Sequence, residues 1–255
     1  MEVQMKKKIL IISNPGAVGA ENYCEGVKKD VENYKKYFTS PGGGNWYLSE
    51  IECLEQPDKT TVRQKLSNMK EMDFSIVIFT GHGYSQNANT YIELKPSDGS
   101  ENDICIDELR EPKQKRIVIV DCCRKEWNPI SEFNESYMAH IEKSFSAVRD
   151  KMKIYENRIK MLDVMNIVMY SCDWNETSGD DSRKGGYYTS SLLKVCSEYI
   201  ESESYAFESC FLSAVEAHER TKTYVEKLKP DQNPQIEKPR SGEYLPLAVV
   251  RGFLD

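Results

Sequence analysis

Ser75-Ile76-Val77-Ile78-Phe79-Thr80-Gly81-His82-Gly83 is the stretch whose reading decides the fold. Ile76–Phe79 is an unbroken apolar run rich in β-branched residues, which marks a strand buried on both faces rather than one with a wet side. Such strands belong to parallel sheets covered by helices. The run ends in a histidine held between two glycines, at the carboxyl end of the strand, where open α/β sheets carry their active sites.

Three further runs share the pattern: Lys8–Ile12, Arg116–Val120 and Asn166–Tyr170. They alternate with amphipathic stretches, and this order predicts an α/β fold with a largely parallel sheet. Val27, Val31, Tyr34 and Phe38 fall on one helical face with lysines and Glu32 around the others, so a surface helix is expected there. A second helix is expected from Thr61, whose spacing to Gln64 fits a capping box. Further helices are expected at Tyr188–Ile200 and Glu208–Leu228, and a final edge strand at Tyr244–Val250. Pro41–Asn45 is glycine-rich but lacks a following Gly-Lys-Ser/Thr, so it reads as a turn and not as a phosphate loop.

Arg116–Val120 runs into Asp121-Cys122-Cys123-Arg124, which puts a thiol at the end of a second strand. If the two strands are neighbours, His82 and Cys123 meet. Taken singly, a loop histidine and a small core cysteine are the commoner explanations. Taken together at matched strand ends, they favour a catalytic pair. The other two histidines, His140 and His218, fall in predicted helices. Glycine lets backbone approach a substrate carbonyl, and the Gly83 and Cys123 N–H groups are candidates for an oxyanion hole.

Phe79-Thr80-Gly81-His82-Gly83 resembles the histidine motif of caspases and metacaspases, and Asp121-Cys122-Cys123-Arg124 resembles the caspase Gln-Ala-Cys-Arg-Gly with Lys125 in place of the last glycine. Tyr170–Asp180 is similar to the metacaspase small-subunit strand and loop. Gly185–Leu192 resembles the caspase segment that opens the next helix, and Asn233-Pro234-Gln235 resembles a metacaspase turn before the last strand. The resemblance implies a caspase-like three-layer αβα sandwich and a cysteine endopeptidase with His82 and Cys123 as its catalytic pair. By position the nucleophile is Cys123 and not Cys122.

The resemblance also speaks to specificity. Asp121 stands where caspases carry a glutamine, and Asp180 aligns with the arginine that holds a substrate aspartate in caspases. Gly26–Asp30 resembles a metacaspase stretch whose last aspartate lines the specificity pocket. Carboxylates facing one cleft repel unless a cation enters, so Asp30 and Asp121 point to arginine or lysine before the scissile bond, while Asp180 and Asp181 read as cleft-lining, calcium-binding or loop-solvating carboxylates. For Asp30 a solvated helix position is the competing reading. The chemistry calls for no metal or cofactor. A calcium-activated form is an expectation drawn from a loose likeness of Asp98–Asp103 to the metacaspase calcium region, with Asp180 and Asp181 as further acidic candidates.

The sequence has 255 residues and 39 % hydrophobic composition, enough for one peptidase domain with a sizeable core. Residues 1–125 read as the large-subunit-like part, 126–164 as a helical linker or insertion, and 165–255 as the small-subunit-like part. Phe133–Leu162 has no counterpart in the resemblance. It reads either as a permanent helical insertion or as a processing linker, with Arg149, Lys151, Lys153, Arg158 and Lys160 as candidate self-cleavage points. A net charge of −7 leaves no basic footprint for nucleic acid. Eight cysteines without a Cys-x-x-Cys pair disfavour zinc ribbons and disulfide frameworks. No membrane-spanning run and no signal-peptide pattern are present, so a cytoplasmic protein is expected. With a core strand starting by Lys8, its activating signal is expected from a separate protein or ligand. The likeness suggests a role in regulated cell death or defence. Two other classes are a catalytically silent caspase-like scaffold and a redox switch at Cys122 and Cys123.

Overall fold

The computed structural model describes residues 5–95, 102–126, 148–202 and 210–250. Its centre is a six-stranded sheet built from β1 (Lys7–Asn14), β2 (Ile51–Glu55), β3 (Phe74–Gly81), β7 (Lys115–Asp121), β8 (Asn166–Tyr170) and β12 (Gln235–Glu237), in the order β12-β8-β7-β3-β1-β2. All neighbours pair parallel except β12, which runs antiparallel to β8. A small sheet of β4 (Gly83–Gln86), β5 (Asn89–Ile92) and β6 (Ile104–Cys105) leaves the tip of β3.

The apolar runs build two cores because strand side chains alternate between faces. Ile9, Ile11, Ile76, Ile78, Ile117, Ile119, Ile167 and Met169 face one side. There they meet Tyr34 and Phe38 of α1 (Gly26–Thr39), Tyr155 and Ile159 of α3 (Val148–Met161), Tyr188 and Leu192 of α4 (Tyr187–Glu201) and Val225 of α5 (Ala214–Leu228). Leu10, Ile12, Val77, Phe79, Val118, Val120, Val168 and Tyr170 face the other side, packed with Val62 and Leu66 of α2 (Lys59–Asn68) and with Ile92 and Ile104. The result is the expected α/β sandwich.

Several element boundaries differ from the sequence reading. The cap of α2 is Asp58, not Thr61: its carboxylate accepts from the Thr61 N–H at 2.7 Å and from the Thr61 hydroxyl at 2.9 Å, so Thr61 lies inside the helix as a donor. The last long helix starts at Ala214, after a capping box between Ser213 and Glu216. Phe211–Ser213 (β11) is instead a strand pairing with β13 (Pro246–Val249) in a separate two-stranded sheet. The edge of the main sheet is therefore β12 and not the final strand. Only Cys122, Cys172 and Cys196 are buried, and all eight cysteines are free. From the segment between the two halves, α3 enters the core through Tyr155 and Ile159, and the Tyr155 hydroxyl donates to the Pro246 carbonyl at 3.1 Å. Arg158 pairs with Glu243 at 2.8 Å, while Arg149, Lys151 and His140 lie outside the described side chains.

At the base of β7, Arg116 is 1 % exposed and has no carboxylate partner among the described residues. It donates to the Ser75 hydroxyl, the Leu109 carbonyl and the Gln114 side-chain carbonyl at 2.8, 2.8 and 2.7 Å. Burial pulls its guanidinium down to about 10. Replacing it removes three buried hydrogen bonds and leaves the Leu109 carbonyl without this donor, so Arg116→Ala is expected to lower unfolding free energy by about 3 kcal/mol, read as a shift of the urea midpoint with unchanged slope.

Candidate active site

Pairing between β3 and β7 sets Thr80 opposite Asp121. Five residues past Thr80 and four past Asp121, the Ser85 N–H donates to the Lys125 carbonyl at 2.9 Å, and Ser85 bridges Glu126 in parallel. His82 and Cys123 lie between these two tie points, on adjacent chain segments running side by side. Gly83 packs against Cys122 so closely that a Cβ there would sit 2.6 Å from its sulfur. The condition posed by the sequence, that the two strands be neighbours, is met.

A glycine is required just before the histidine. Gly81 has φ of +141°, and a Cβ on it would run into the Asn14 backbone. This close approach lets the His82 N–H donate to the Asn14 carbonyl at 3.1 Å, while the His82 carbonyl accepts from the Glu93 N–H at 3.0 Å. The backbone of His82 is thus clamped between β1 and the chain after β5, and the residue is buried.

Cys123 is half-buried, and its sulfur lies 3.8 Å from the Ser178 carbonyl. Its neighbour Cys122 is buried, and desolvation pushes that thiol far above its ordinary value. The thiolate is the reactive form, so Cys122 is chemically quiet. Cys172, whose thiol donates to the Cys122 carbonyl at 3.4 Å, is pushed up by burial in the same way. Arg124 anchors the turn from the other side. Its guanidinium stacks over Tyr170 and Trp174 at 4.1 and 5.3 Å and donates to the Thr90 hydroxyl and the Cys172 carbonyl.

Behind this turn lie the acidic residues. Asp30 is 1 % exposed, which overturns the solvated-helix reading, and Asp121 is 4 % exposed. Asp30 accepts from the Thr80 hydroxyl at 2.6 Å and the Gly186 N–H at 2.8 Å. Asp121 accepts from the Ser178 hydroxyl at 2.6 Å, the Thr189 hydroxyl at 2.7 Å and the Thr189 N–H at 3.1 Å. Burial, then the charge of Asp121, raises Asp30 well above the carboxylate range, and burial raises Asp121. Asp180, in β9 (Asp180–Asp181), accepts from the Gly26 N–H at 2.9 Å and is raised chiefly by burial, with Asp121 adding to the rise and His82 opposing it. Among the described residues, none of these three carboxylates has a basic side chain within ion-pair distance.

Several contributors were given no role from the sequence, although some lie in the segments that carry the resemblance. Gly185, at φ of +96°, and Gly186 form β10 (Gly185–Gly186) and lie directly on the two buried carboxylates, where any Cβ would collide with Asp30 or Asp121. Gln232 donates to the Ser171 carbonyl and the Ser178 hydroxyl and accepts from the Gly179 N–H, locking the loop that touches Cys123. Thr80, Ser178 and Thr189 are ordinary strand, loop and helix residues, and only their tertiary neighbours mark them. Cys24, noted before only as one cysteine among eight, places its sulfur 3.6 Å from His82 Nε2. Asp103, in the acidic stretch considered for calcium, accepts from the Tyr84 hydroxyl at 3.0 Å, and residues 96–101 lie outside the described residues. Among the described residues, no three His, Cys, Asp or Glu side chains gather to hold a metal ion. Nor is any described helix long and apolar enough to cross a membrane.

Comparison with solved structures places the chain beside caspase-1 from Spodoptera frugiperda, with a TM-score of 0.59 and 11 % identity over 98 % of this chain and 92 % of that one. At such identity the likeness speaks for the fold alone. No curated protein matches the chain. The family model described as the caspase domain matches residues 6–244, nearly the whole length, and spans both strand tips and the acidic residues behind them. The chain belongs to the caspase-domain family of cysteine peptidases.

Proposed function

We propose that this peptidase cleaves protein chains after arginine or lysine, using Cys123 as nucleophile and His82 as its acid–base partner. One observation carries the specificity: Asp30 and Asp121 are buried together beside the Cys123 turn, with no basic side chain within ion-pair distance among the described residues. Desolvated carboxylates are costly to keep charged, and a guanidinium or ammonium is the group that relieves them. Gly185 and Gly186 pack their backbone directly on both carboxylates, where a side chain would collide with them. Asp180 adds a third negative charge nearer to His82. An aspartate-selective site would need the opposite sign of field.

In the proposed reaction the Cys123 thiolate attacks the carbonyl carbon after the basic residue. The carbonyl electron pair moves onto oxygen, which the Gly83 and Cys123 N–H groups are assigned to hold. Collapse of this intermediate breaks the C–N bond as His82 protonates the departing amine, leaving a thioester. Water, deprotonated by His82, then attacks the thioester and returns the sulfur as thiolate, with the proton retained on the imidazolium. The family likeness supports a role in regulated cell death or defence. A calcium requirement is a separate proposal, tested by assay in calcium against a chelator.

Cys123→Ala is expected to abolish cleavage of an arginine-ending fluorogenic peptide with unchanged circular dichroism and melting, while Cys122→Ala keeps turnover. Full activity in Cys123→Ala would remove the assignment.

Asp121→Ala is expected to cut kcat/KM for arginine and lysine peptides by about 100-fold, the scale of losing one partner of a buried charge pair. A wild type that prefers aspartate peptides would defeat the acidic-pocket reading.

The pH dependence has a definite sign. Because Asp30 is raised, its carboxyl is neutral at pH values where an exposed aspartate is already charged. Affinity for a basic peptide is therefore expected to rise as pH climbs through that raised value, and Asp30→Asn to flatten this limb in a plot of KM against pH.

A further inference from the structure

The chain between β1 and α1 passes against the His82 ring. Gly16 packs on the ring so tightly that a Cβ there would sit 2.9 Å from His82 Nε2 and 3.3 Å from Cδ2. The loop is held in that place by a dense set of bonds. Asn14, 1 % exposed, accepts from the Gly16 N–H at 3.0 Å and donates to the Glu93 carbonyl at 2.9 Å. Gln56 donates to the Asn14 side chain at 3.1 Å and to the Gly16 carbonyl at 2.7 Å. The Cys24 N–H closes the loop onto the Pro15 carbonyl at 2.8 Å. This closure delivers the Cys24 sulfur to 3.6 Å from His82 Nε2.

An imidazole has two nitrogens, and the partner of one sets which proton state the other presents. Nε2 is the nitrogen turned to the Gly16–Cys24 loop. We propose that Cys24 is a positioning residue for His82: its sulfur accepts the Nε2–H, fixing the ring and reserving Nδ1 for proton exchange with Cys123. The inference rests on the dyad reading given above. Thiol sulfur is a weak acceptor, so the contact orients the ring and favours the imidazolium modestly. Asp180 of β9 also acts on the ring, so loss of Cys24 leaves that field in place.

The test uses Cys24→Ala and Cys24→Ser in the full chain. Cys24→Ala is expected to lower kcat on an arginine peptide by about 10-fold with KM unchanged, and to move the alkaline limb of kcat/KM to lower pH. Cys24→Ser, which keeps an acceptor at the same position, is expected to recover most of both. Long-range nitrogen–proton NMR on His82 in a Cys123→Ala background reads the tautomer without turnover; it should show the proton on Nε2, with that preference weakened when Cys24→Ala is added. Unchanged kcat, pH limb and tautomer in Cys24→Ala would overturn the proposal, as would a folded Cys24→Ser no better than Cys24→Ala. These outcomes are separable from failure of the dyad itself, which would appear as activity in Cys123→Ala whatever the His82 tautomer shows.

Discussion

Everything at the site depends on the parallel pairing of β3 with β7 in a register that sets Thr80 opposite Asp121. A strand has a side-chain period of two, so a slip by one residue would send every side chain of β3 to the opposite face. The two cores forbid that slip. Ile76 and Ile78 are committed to the layer of α1, α3 and α4, and Val77 and Phe79 to the layer of α2. Packing of apolar residues far from the chemistry therefore decides which residues share the carboxyl edge of the sheet. The tie from Ser85 to Lys125 carries the same alignment past the strand ends, so that backbone pairing aligns the segments that carry His82 and Cys123.

The acidic pair behind this edge works against stability. Asp30 and Asp121 are desolvated and repel each other, and burial raises both above the usual carboxylate range. Their folded-state values exceed the unfolded ones, so the folded chain holds more protons between the two. Stability from these groups falls as pH rises through that window, and the penalty is complete above it. Hydrogen bonds from Thr80, Gly186, Ser178 and Thr189 offset part of the cost. Retaining such a pair where an apolar filling would be steadier is the feature on which the proposed basic-residue specificity rests.

Much of the architecture was legible in the chain because buried parallel strands announce themselves. Asn166–Tyr170 coincides with its observed strand, and the other core runs needed only one or two residues of extension at either end. The errors came where local pattern met tertiary context. Thr61 with Gln64 looks like a capping box, yet Asp58 is the stronger acceptor three residues earlier. Phe211–Ser213 continues a helical pattern but gains more by pairing with Pro246–Val249. Asp30 shows the same limit at the site, since a carboxylate among lysines on an amphipathic helix reads as solvated until a neighbouring glycine hairpin is seen to cover it.

The sequence by itself determined that a histidine and a cysteine end two buried strands, that the sheet is mostly parallel, and that aspartates cluster near these motifs. These are properties of short segments, carried by hydrophobic periodicity and by glycines where backbone must pass close. Only the tertiary structure decided which partners those groups have. Gly185 and Gly186 over Asp30 and Asp121, Ser178 at the Cys123 sulfur, and Cys24 behind the His82 ring join segments far apart in the chain. The reason is that a carboxylate's protonation and an imidazole's orientation are set by atoms within a few ångströms, and sequence distance does not encode which atoms those are.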